Sequence, residues 1–225
     1  MHSIWRTTDR ALLRDVTLVC LAIGVIGLSY GAIAVASGFP LWLPVVLALT
    51  VLAASSEFMF IGIVAAGGSP VAAVLAGLLV NARHLPFGLA LPDVLGCGWR
   101  RLLGTHLMND ESVVFALAQE DPERKKAAYW ACGLGILVCW PLGALAGGAL
   151  GTVIDDTDVF GLDAMFPAIL LALIVPAFGD REKRRAGLAG AAVALAATPF
   201  LPAGLPVLLA LTGLFLTAAR EKDHR

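Results

Sequence analysis

Long apolar runs separated by short charged blocks make up most of the chain. The runs lie at about 16–37, 41–66, 70–91, 127–151, 162–179, 186–200 and 204–219. They are continuously apolar rather than alternating, which excludes the two-residue period of a transmembrane β-barrel. About twenty apolar residues in a helix cross a bilayer core of about 30 Å. The pattern therefore predicts an all-α polytopic membrane protein, in which residues 1–225 form one domain with about six to eight membrane segments.

The composition supports this class and argues against several kinds of chemistry. Of 225 residues, 59% are hydrophobic and 15% are charged, whereas soluble domains average about 25% charged residues. The four cysteines form no CxxC pair and the four histidines are isolated, so we expect no disulfide framework, metal site or cofactor. The chain contains no P-loop motif, which argues against ATP hydrolysis. We expect no nucleic-acid partner.

The charged blocks predict the orientation of the segments in the inner membrane. The run 16–37 is longer than the apolar core of a signal peptide, so we interpret it as a retained first helix. The loop 152–163 carries four aspartates and no basic residue. Basic residues lie in four other blocks: Arg6, Arg10 and Arg14; Arg124, Lys125 and Lys126; Arg181, Lys183, Arg184 and Arg185; Arg220, Lys222 and Arg225. By the positive-inside rule, residues 1–15 and 220–225 are cytoplasmic and the aspartate loop is outside.

The same rule conflicts with a simple count of crossings. If the first three runs all cross, Leu91 ends outside, yet the basic sequence ERKK at 123–126 belongs inside. Either the run 70–91 is broken and re-entrant, or the polar stretch 94–119 supplies a further crossing that is lined by protein. Both solutions place irregular polar backbone at membrane depth in the middle third of the chain.

Glycines and prolines predict how some of the helices pack. Glycines recur at every fourth position of the run 127–151, at Gly143, Gly147 and Gly151. Such a face suits close packing of helices, either inside one chain or at the interface of a homo-oligomer. Three prolines divide the last two runs, at Pro199, Pro202 and Pro206. We interpret these runs as a tight helical hairpin.

Glu57 is an ionisable residue deep inside the run 41–66, preceded by Ser55 and Ser56 and followed by Phe58. A charge at such depth is unfavourable by roughly several kcal/mol unless it faces protein or water. Burial disfavours the charged form of a carboxylate, which suits proton coupling or the binding of an ammonium group. The alternative is a protonated, hydrogen-bonded link between helices.

A second polar group interrupts the run 70–91 and consists of Asn81, Arg83, His84 and then Pro86. Pro86 lacks an N–H and clashes with the carbonyl of Ala82, which predicts a kink or break near 82–85. Helix breaks expose backbone groups that hold substrates in transporters. Arg83 adds charge-assisted hydrogen bonds to a substrate carboxylate or pairs with an acidic side chain. The alternative is that Arg83 and His84 extend to the membrane interface.

Two further motifs have competing interpretations. Asn109, Asp110 and Glu111 follow His106 and precede an apolar stretch. Either Asn109 or Asp110 caps a helix that begins there, with acids favoured in its first turn, or these side chains have a functional role. The sequence GLSYG at 27–31 matches G-x-S-x-G, but a nucleophile elbow needs a strand–turn–helix context rather than a membrane helix. We therefore do not expect an enzyme, and we expect Ser29 and Tyr30 to offer hydroxyl groups to a cavity.

Taken together, these elements resemble the AzlC family, the large subunits of branched-chain amino acid exporters. The family pattern has G-x-x-x-G in its first helix, then elements of the form aG.s, GaaQF, N.Rh.lyg and tDEsy. Here they occur in that order, at 27–31, 37–38, 55–58, 81–88 and 109–112, and GLDAMFPAILLALI resembles a later span. The resemblance covers about residues 24–219. Glu57 differs from the family pattern, which has glutamine there, and a carboxylate changes the possible coupling or substrate.

The resemblance implies export of valine, leucine or isoleucine across the inner membrane, with a small, separately encoded partner of the AzlD type. We predict alternating access, with the substrate carboxylate at the break around Asn81–Arg83. Its ammonium group would lie at Glu57 or at Asp110 and Glu111, and its tail against Phe58, Phe60 or Phe87. The predicted substrate-binding residues are Ser29, Tyr30, Glu57, Phe58, Asn81 and Arg83. The predicted coupling or gating residues are Glu57, His84, Pro86, Asp110 and Glu111. The alternative function is a non-transporting scaffold or ligand-binding subunit.

Overall fold

The computed structural model describes residues 10–152, 171, 175–201 and 205–213, and every regular element in these ranges is a helix. The all-α prediction is therefore confirmed for the described part of the chain. The helices are α1 (Arg10–Ala36), α2 (Trp42–Thr50), α3 (Ala54–Ala65), α4 (Pro70–Asn81), α5 (His84–Ala90), α6 (Trp99–His106), α7 (Asp110–Leu117), α8 (Pro122–Gly151), a 3-10 helix (Val175–Gly179), α9 (Arg181–Ala197) and α10 (Leu205–Leu209). The aspartates of the predicted outside loop, most of the run 162–179, Pro202 and both chain ends lie outside the described residues.

Within the described residues, three stretches are long and apolar enough to cross a membrane: Arg10–Ala36, Pro70–Ala90 and Pro122–Gly151. They correspond to the first, third and fourth predicted runs. Helix α3 is apolar but has 12 residues, so it is shorter than the bilayer core requires. The number of full crossings and the side on which each end lies stay predictions.

The run 41–66, treated as one segment in the sequence, divides into α2 and α3. Between these helices Leu52 has a φ of 52°, in the left-handed region that leucine rarely adopts. Ser56 Oγ donates to the Ala53 carbonyl oxygen at 2.9 Å, and the Ala53 N–H donates to Glu57 Oε1 at 2.9 Å. The Ser56 and Glu57 side chains thus bind backbone groups of Ala53 at the interruption. Apolar side chains could not pair with these groups.

The predicted break near 82–85 is confirmed, because α4 ends at Asn81 and α5 begins at His84. Pro86 lies in the first turn of α5, where a backbone N–H has no partner within the helix. Proline therefore removes no hydrogen bond from α5, while its ring prevents α4 from continuing as a regular helix.

A third interruption, at 107–109, separates α6 from α7. Helix α7 begins with a capping box, in which Asn109 Oδ1 accepts the Ser112 N–H at 2.8 Å and Ser112 Oγ accepts the Asn109 N–H at 3.1 Å. The predicted cap is confirmed, with Asn109 as the capping residue and Asp110 and Glu111 in the first turn.

Glycines allow α1 and α8 to approach each other closely. A Cβ atom on Gly27 would lie 2.9 Å from the carbonyl oxygen of Trp140, which is closer than a carbon atom can pack. The predicted glycine face meets the α1 backbone in the same way, at Gly143, Gly147 and Gly151. This face therefore packs inside the chain, and a homo-oligomer stays a prediction.

The chain forms two compact units, one within residues 1–57 and 81–162 and the other within 58–80 and 163–225. All three interruptions lie in the first unit. In the second, Gly190 packs against the backbone of Ala210, a contact that agrees with the predicted C-terminal hairpin. The prediction that residues 1–225 form one transporter domain stays a prediction.

Candidate functional site

Glu57 lies in the first turn of α3 and is 1% exposed. Its Oε1 accepts the Ala53 N–H at 2.9 Å, and Trp140 Nε1 donates to both of its oxygens at 3.1 Å. Trp140, on α8, is equally buried. The carboxyl group is thus held by donors from the α2–α3 interruption and from a helix more than eighty positions away in the sequence.

Tyr30 completes the wall around this carboxyl group. Its ring stacks on that of Trp140, with centroids 5.1 Å apart and an interplanar angle of 18°. Ser29, the preceding residue of α1, is buried as well. The structure therefore brings two predicted residues, Tyr30 and Glu57, to one place through Trp140.

Sequence reasoning missed Trp140. A tryptophan in the middle of a membrane helix carries an indole N–H that needs an acceptor when it is buried. This requirement signals a polar partner, but it does not say which of the acidic or hydroxyl residues elsewhere in the chain supplies it.

Asn81 joins the second interruption to the first. Its Nδ2 donates to Ser56 Oγ at 3.1 Å, and Ser56 in turn donates to the Ala53 carbonyl. His84 Nδ1 lies 2.9 Å from the Asn81 carbonyl oxygen, so this nitrogen carries the proton that the contact requires. Two predicted residues, Asn81 and His84, therefore bind each other across the break that separates α4 from α5.

Arg83 lies at the break itself and pairs with an acid. Its Nη1 lies 2.9 Å from Asp110 Oδ2, and its Nη2 donates to Ser55 Oγ at 2.8 Å. The side chains of Arg83 and Asp110 are 31% and 44% exposed, so the ion pair is half-buried. Of the two partners left open by the sequence, a substrate carboxylate or an acidic side chain, the structure places an acid, Asp110, on Arg83.

The third interruption also contacts the first. His106 Nε2, at the end of α6, lies 2.9 Å from the carbonyl oxygen of Leu49 near the end of α2. Together with the contacts of Asn81 and Arg83, this places all three interruptions side by side, although they lie up to 58 positions apart in the chain. Glu111, next to Asp110, lies in the first turn of α7.

Polar atoms at these interruptions have hydrogen-bonding capacity that the protein does not use. In the part of the chain that the structure describes, four buried atoms here have no hydrogen-bond partner: Asn81 Oδ1, Arg83 Nε, His84 Nε2 and Asn109 Nδ2. Buried polar atoms are normally paired, and each exception needs an explanation such as a ligand or water. Arg83 Nε and Asn109 Nδ2 are unused donors, and Asn81 Oδ1 and His84 Nε2 are unused acceptors, which together suit a polar ligand.

The remaining predicted residues are more dispersed. Phe87 packs against the buried cluster around Leu91 and Tyr129 in the first unit, and its ring meets that of His84 edge-on at 6.0 Å. Phe58 is buried in α3, and Phe60 packs beside Ile63 in the second unit. GLSYG forms part of α1, so it lacks the strand of a nucleophile elbow. Among the described residues, no three His, Cys, Asp or Glu side chains group as metal ligands.

Comparisons with known proteins identify relatives of this chain. The family model described as AzlC protein matches residues 18–154. The branched-chain amino acid transport protein AzlC of Bacillus subtilis is 26% identical over 203 residues, which cover 87% of this chain and 79% of the relative. A membrane protein of Haemophilus influenzae is 28% identical over 76% of this chain and 71% of the relative, and one of Helicobacter pylori is 23% identical over 87% and 86%. No solved structure matches the chain.

Proposed function

Since the chain belongs to the AzlC family and is a transport-related membrane protein, we propose that it exports branched-chain or other small hydrophobic amino acids across the inner membrane. In this proposal it works as a secondary transporter, coupled to protons, with a small AzlD-type membrane subunit. The relative in Bacillus subtilis, named as a branched-chain amino acid transport protein, supports this substrate class.

The meeting of three interrupted helices around Glu57 and Arg83 is the observation that carries the proposal. An amino acid presents a carboxylate, an ammonium group and an apolar tail. Arg83 supplies a positive charge and Glu57 supplies a carboxyl group. Ser55 and Ser56, which precede Glu57 in α3, bind Arg83 and Asn81 respectively. Substrate sites of secondary transporters are typically built from such discontinuous helices.

The interruptions also provide a means of movement. Alternating access requires parts of the molecule to reorient around the bound substrate, and short non-helical segments absorb the changes in φ and ψ. Residues at or beside the segments 51–53, 82–83 and 107–109 contact one another, and we expect a change at one segment to alter the others. Glu57 or His84 would carry the exchanged proton, with Pro86, Asp110 and Glu111 controlling the gate.

A non-transporting scaffold is the alternative function, and one of its two motivations is weakened. The glycine face of α8 was one reason to expect an interface with another subunit. Gly143 and Gly147 instead meet the backbone of α1, so this face is not free to bind a partner. The predicted C-terminal hairpin is the other motivation for a subunit interface.

The test is uptake of labelled valine, leucine and methionine into inverted membrane vesicles, with and without the partner subunit and with a proton gradient in either direction. We expect uptake that depends on the gradient, because export from the cell is uptake into an inverted vesicle. Absence of transport under every one of these conditions would refute the proposal, and the scaffold function would then be preferred.

Glu57→Gln tests the coupling separately. The amide oxygen of glutamine still accepts from Trp140 and Ala53, so the variant is expected to fold, but it cannot exchange a proton. We expect transport that has lost its dependence on pH. Asp93→Asn, which changes an exposed acid in the loop before α6, is the matched control. If Glu57→Gln retains the pH dependence of the wild type, Glu57 is not on the proton path.

A further inference from the structure

The Arg83–Asp110 ion pair uses only part of what Arg83 offers. One terminal nitrogen contacts Asp110 and the other donates to Ser55, whereas Nε is buried without an acceptor. Arginine binds a carboxylate best through two parallel N–H groups. Asn109, next to Asp110 and 5% exposed, also has a buried amide nitrogen without an acceptor. The site therefore contains more donors than the Asp110 carboxylate satisfies.

The Arg83–Asp110 pair is also exposed enough for another carboxylate to replace Asp110. Its side chains are 31% and 44% exposed, and ion pairs that remain in contact with solvent contribute little to stability. A second carboxylate can therefore replace Asp110 on Arg83 without a large loss. A fully buried pair would instead leave an uncompensated charge when it separates.

We propose that Asp110 is an internal substitute for the substrate carboxylate, which displaces it from Arg83 when an amino acid binds. This inference rests on the proposed transport function. The incoming carboxylate takes over the contact at Arg83 Nη1, and the unpaired Asn109 Nδ2 is a further donor for it. Asp110, the more exposed member of the pair, is then solvated.

Displacement has a mechanical consequence because the three groups lie on different helices. Arg83 lies between α4 and α5, Ser55 on α3 and Asp110 on α7. The ion pair is thus a tie between α7 and the α4–α5 break. An amino acid that replaces Asp110 releases this tie, so occupancy of the site is coupled to the freedom of α7 to move. An amine that lacks a carboxylate leaves the tie in place.

The experiment compares binding of valine and of valinamide, which has the same ammonium group and tail but no carboxylate. Affinities are measured by calorimetry on the full chain reconstituted in lipid nanodiscs, with and without the AzlD-type subunit. Asp110→Asn removes the competing carboxylate, so valine should bind about threefold to fivefold tighter, as suits loss of a half-exposed ion pair. Valinamide should bind as it does to the wild type.

Arg83→Lys should weaken the binding of valine, whereas Asp110→Asn strengthens it. Lysine keeps the charge but lacks the planar pair of donors, so the affinity for valine should fall more than tenfold while that for valinamide stays unchanged. Asp93→Asn is the control and should bind both ligands like the wild type. If Asp110→Asn does not fold, Asp110→Ser, which also removes the competing carboxylate, replaces it, with the same tighter binding of valine alone expected.

The outcomes separate this inference from the proposed function. If Asp110→Asn weakens the binding of both ligands equally, or leaves the affinity for valine unchanged, Asp110 is only a structural tie and the inference fails. In either case, transport of valine by the wild type in vesicles would leave the proposed function intact. A wild-type protein that neither binds nor transports amino acids would overturn both.

Discussion

Replacement of Trp140 by phenylalanine tests whether α8 stabilises an ionised Glu57. The variant keeps an aromatic ring to stack on Tyr30 but removes the indole N–H that donates to both Glu57 oxygens at 3.1 Å. Both residues are fully buried, so water does not replace the lost donor.

The magnitude follows from the charge of the acceptor. A hydrogen bond to a charged group contributes about 1.5–3 kcal/mol, and one between neutral groups about 0.5–1.5 kcal/mol. In the E57Q background the acceptor is neutral. Trp140→Phe should therefore lower the free energy of unfolding by about 1–1.5 kcal/mol less there than in the wild type. The cavity left by the smaller ring lowers the free energy of unfolding in both backgrounds, and it therefore cancels in the double-mutant cycle.

The assay is equilibrium unfolding by dodecyl sulfate in mixed micelles, followed by far-ultraviolet circular dichroism, of the wild type, W140F, E57Q and the double variant. Trp42→Phe is the control, because Trp42 is 62% exposed on α2 and should show no coupling to Glu57. A coupling energy for Trp140 below about 0.3 kcal/mol, the limit within which independent sites add, would refute an ionised Glu57 held by Trp140.

Two further predictions concern other parts of the chain. Gly31→Ala places a Cβ atom against the Ala144 carbonyl oxygen and should lower the free energy of unfolding by about 1–3 kcal/mol. Gly187→Ala in α9 meets nothing within 4 Å and should raise it by up to about 1 kcal/mol; equal stabilities in the same unfolding assay would contradict the close approach of α1 and α8. At the start of α9, the backbone N–H groups of Lys183 and Glu182 hold the pKa of Asp180 below its usual value. This cap therefore stabilises α9 above the usual pKa of aspartate, near pH 4, and is lost as the pH falls through the lower folded value. Amide exchange in the first turn of α9, corrected for intrinsic rates, should rise on acidification in the wild type and not in Asp180→Asn; identical profiles would count against the cap.

Some of the candidate site could be predicted from the sequence because it depends on local rules. The clash between a proline ring and the carbonyl four residues earlier located the break before Pro86. The preference of asparagine and aspartate for the position before a helix limited the cap of α7 to Asn109 or Asp110, and the structure has Asn109 there. In both cases the interacting groups lie within four residues of each other, so the sequence contains both partners in one window.

The sequence by itself determined the membrane class, the family resemblance and the break near 82–85, and it singled out Glu57, Arg83 and Asp110 as candidates. Tertiary structure alone decided that Glu57 meets Trp140, that Arg83 meets Asp110, and that the run 41–66 breaks at 51–53. The physical reason is that hydropathy and proline sterics act through neighbouring residues. A buried charge or an indole N–H instead needs some partner, and only the packing of distant helices selects which one.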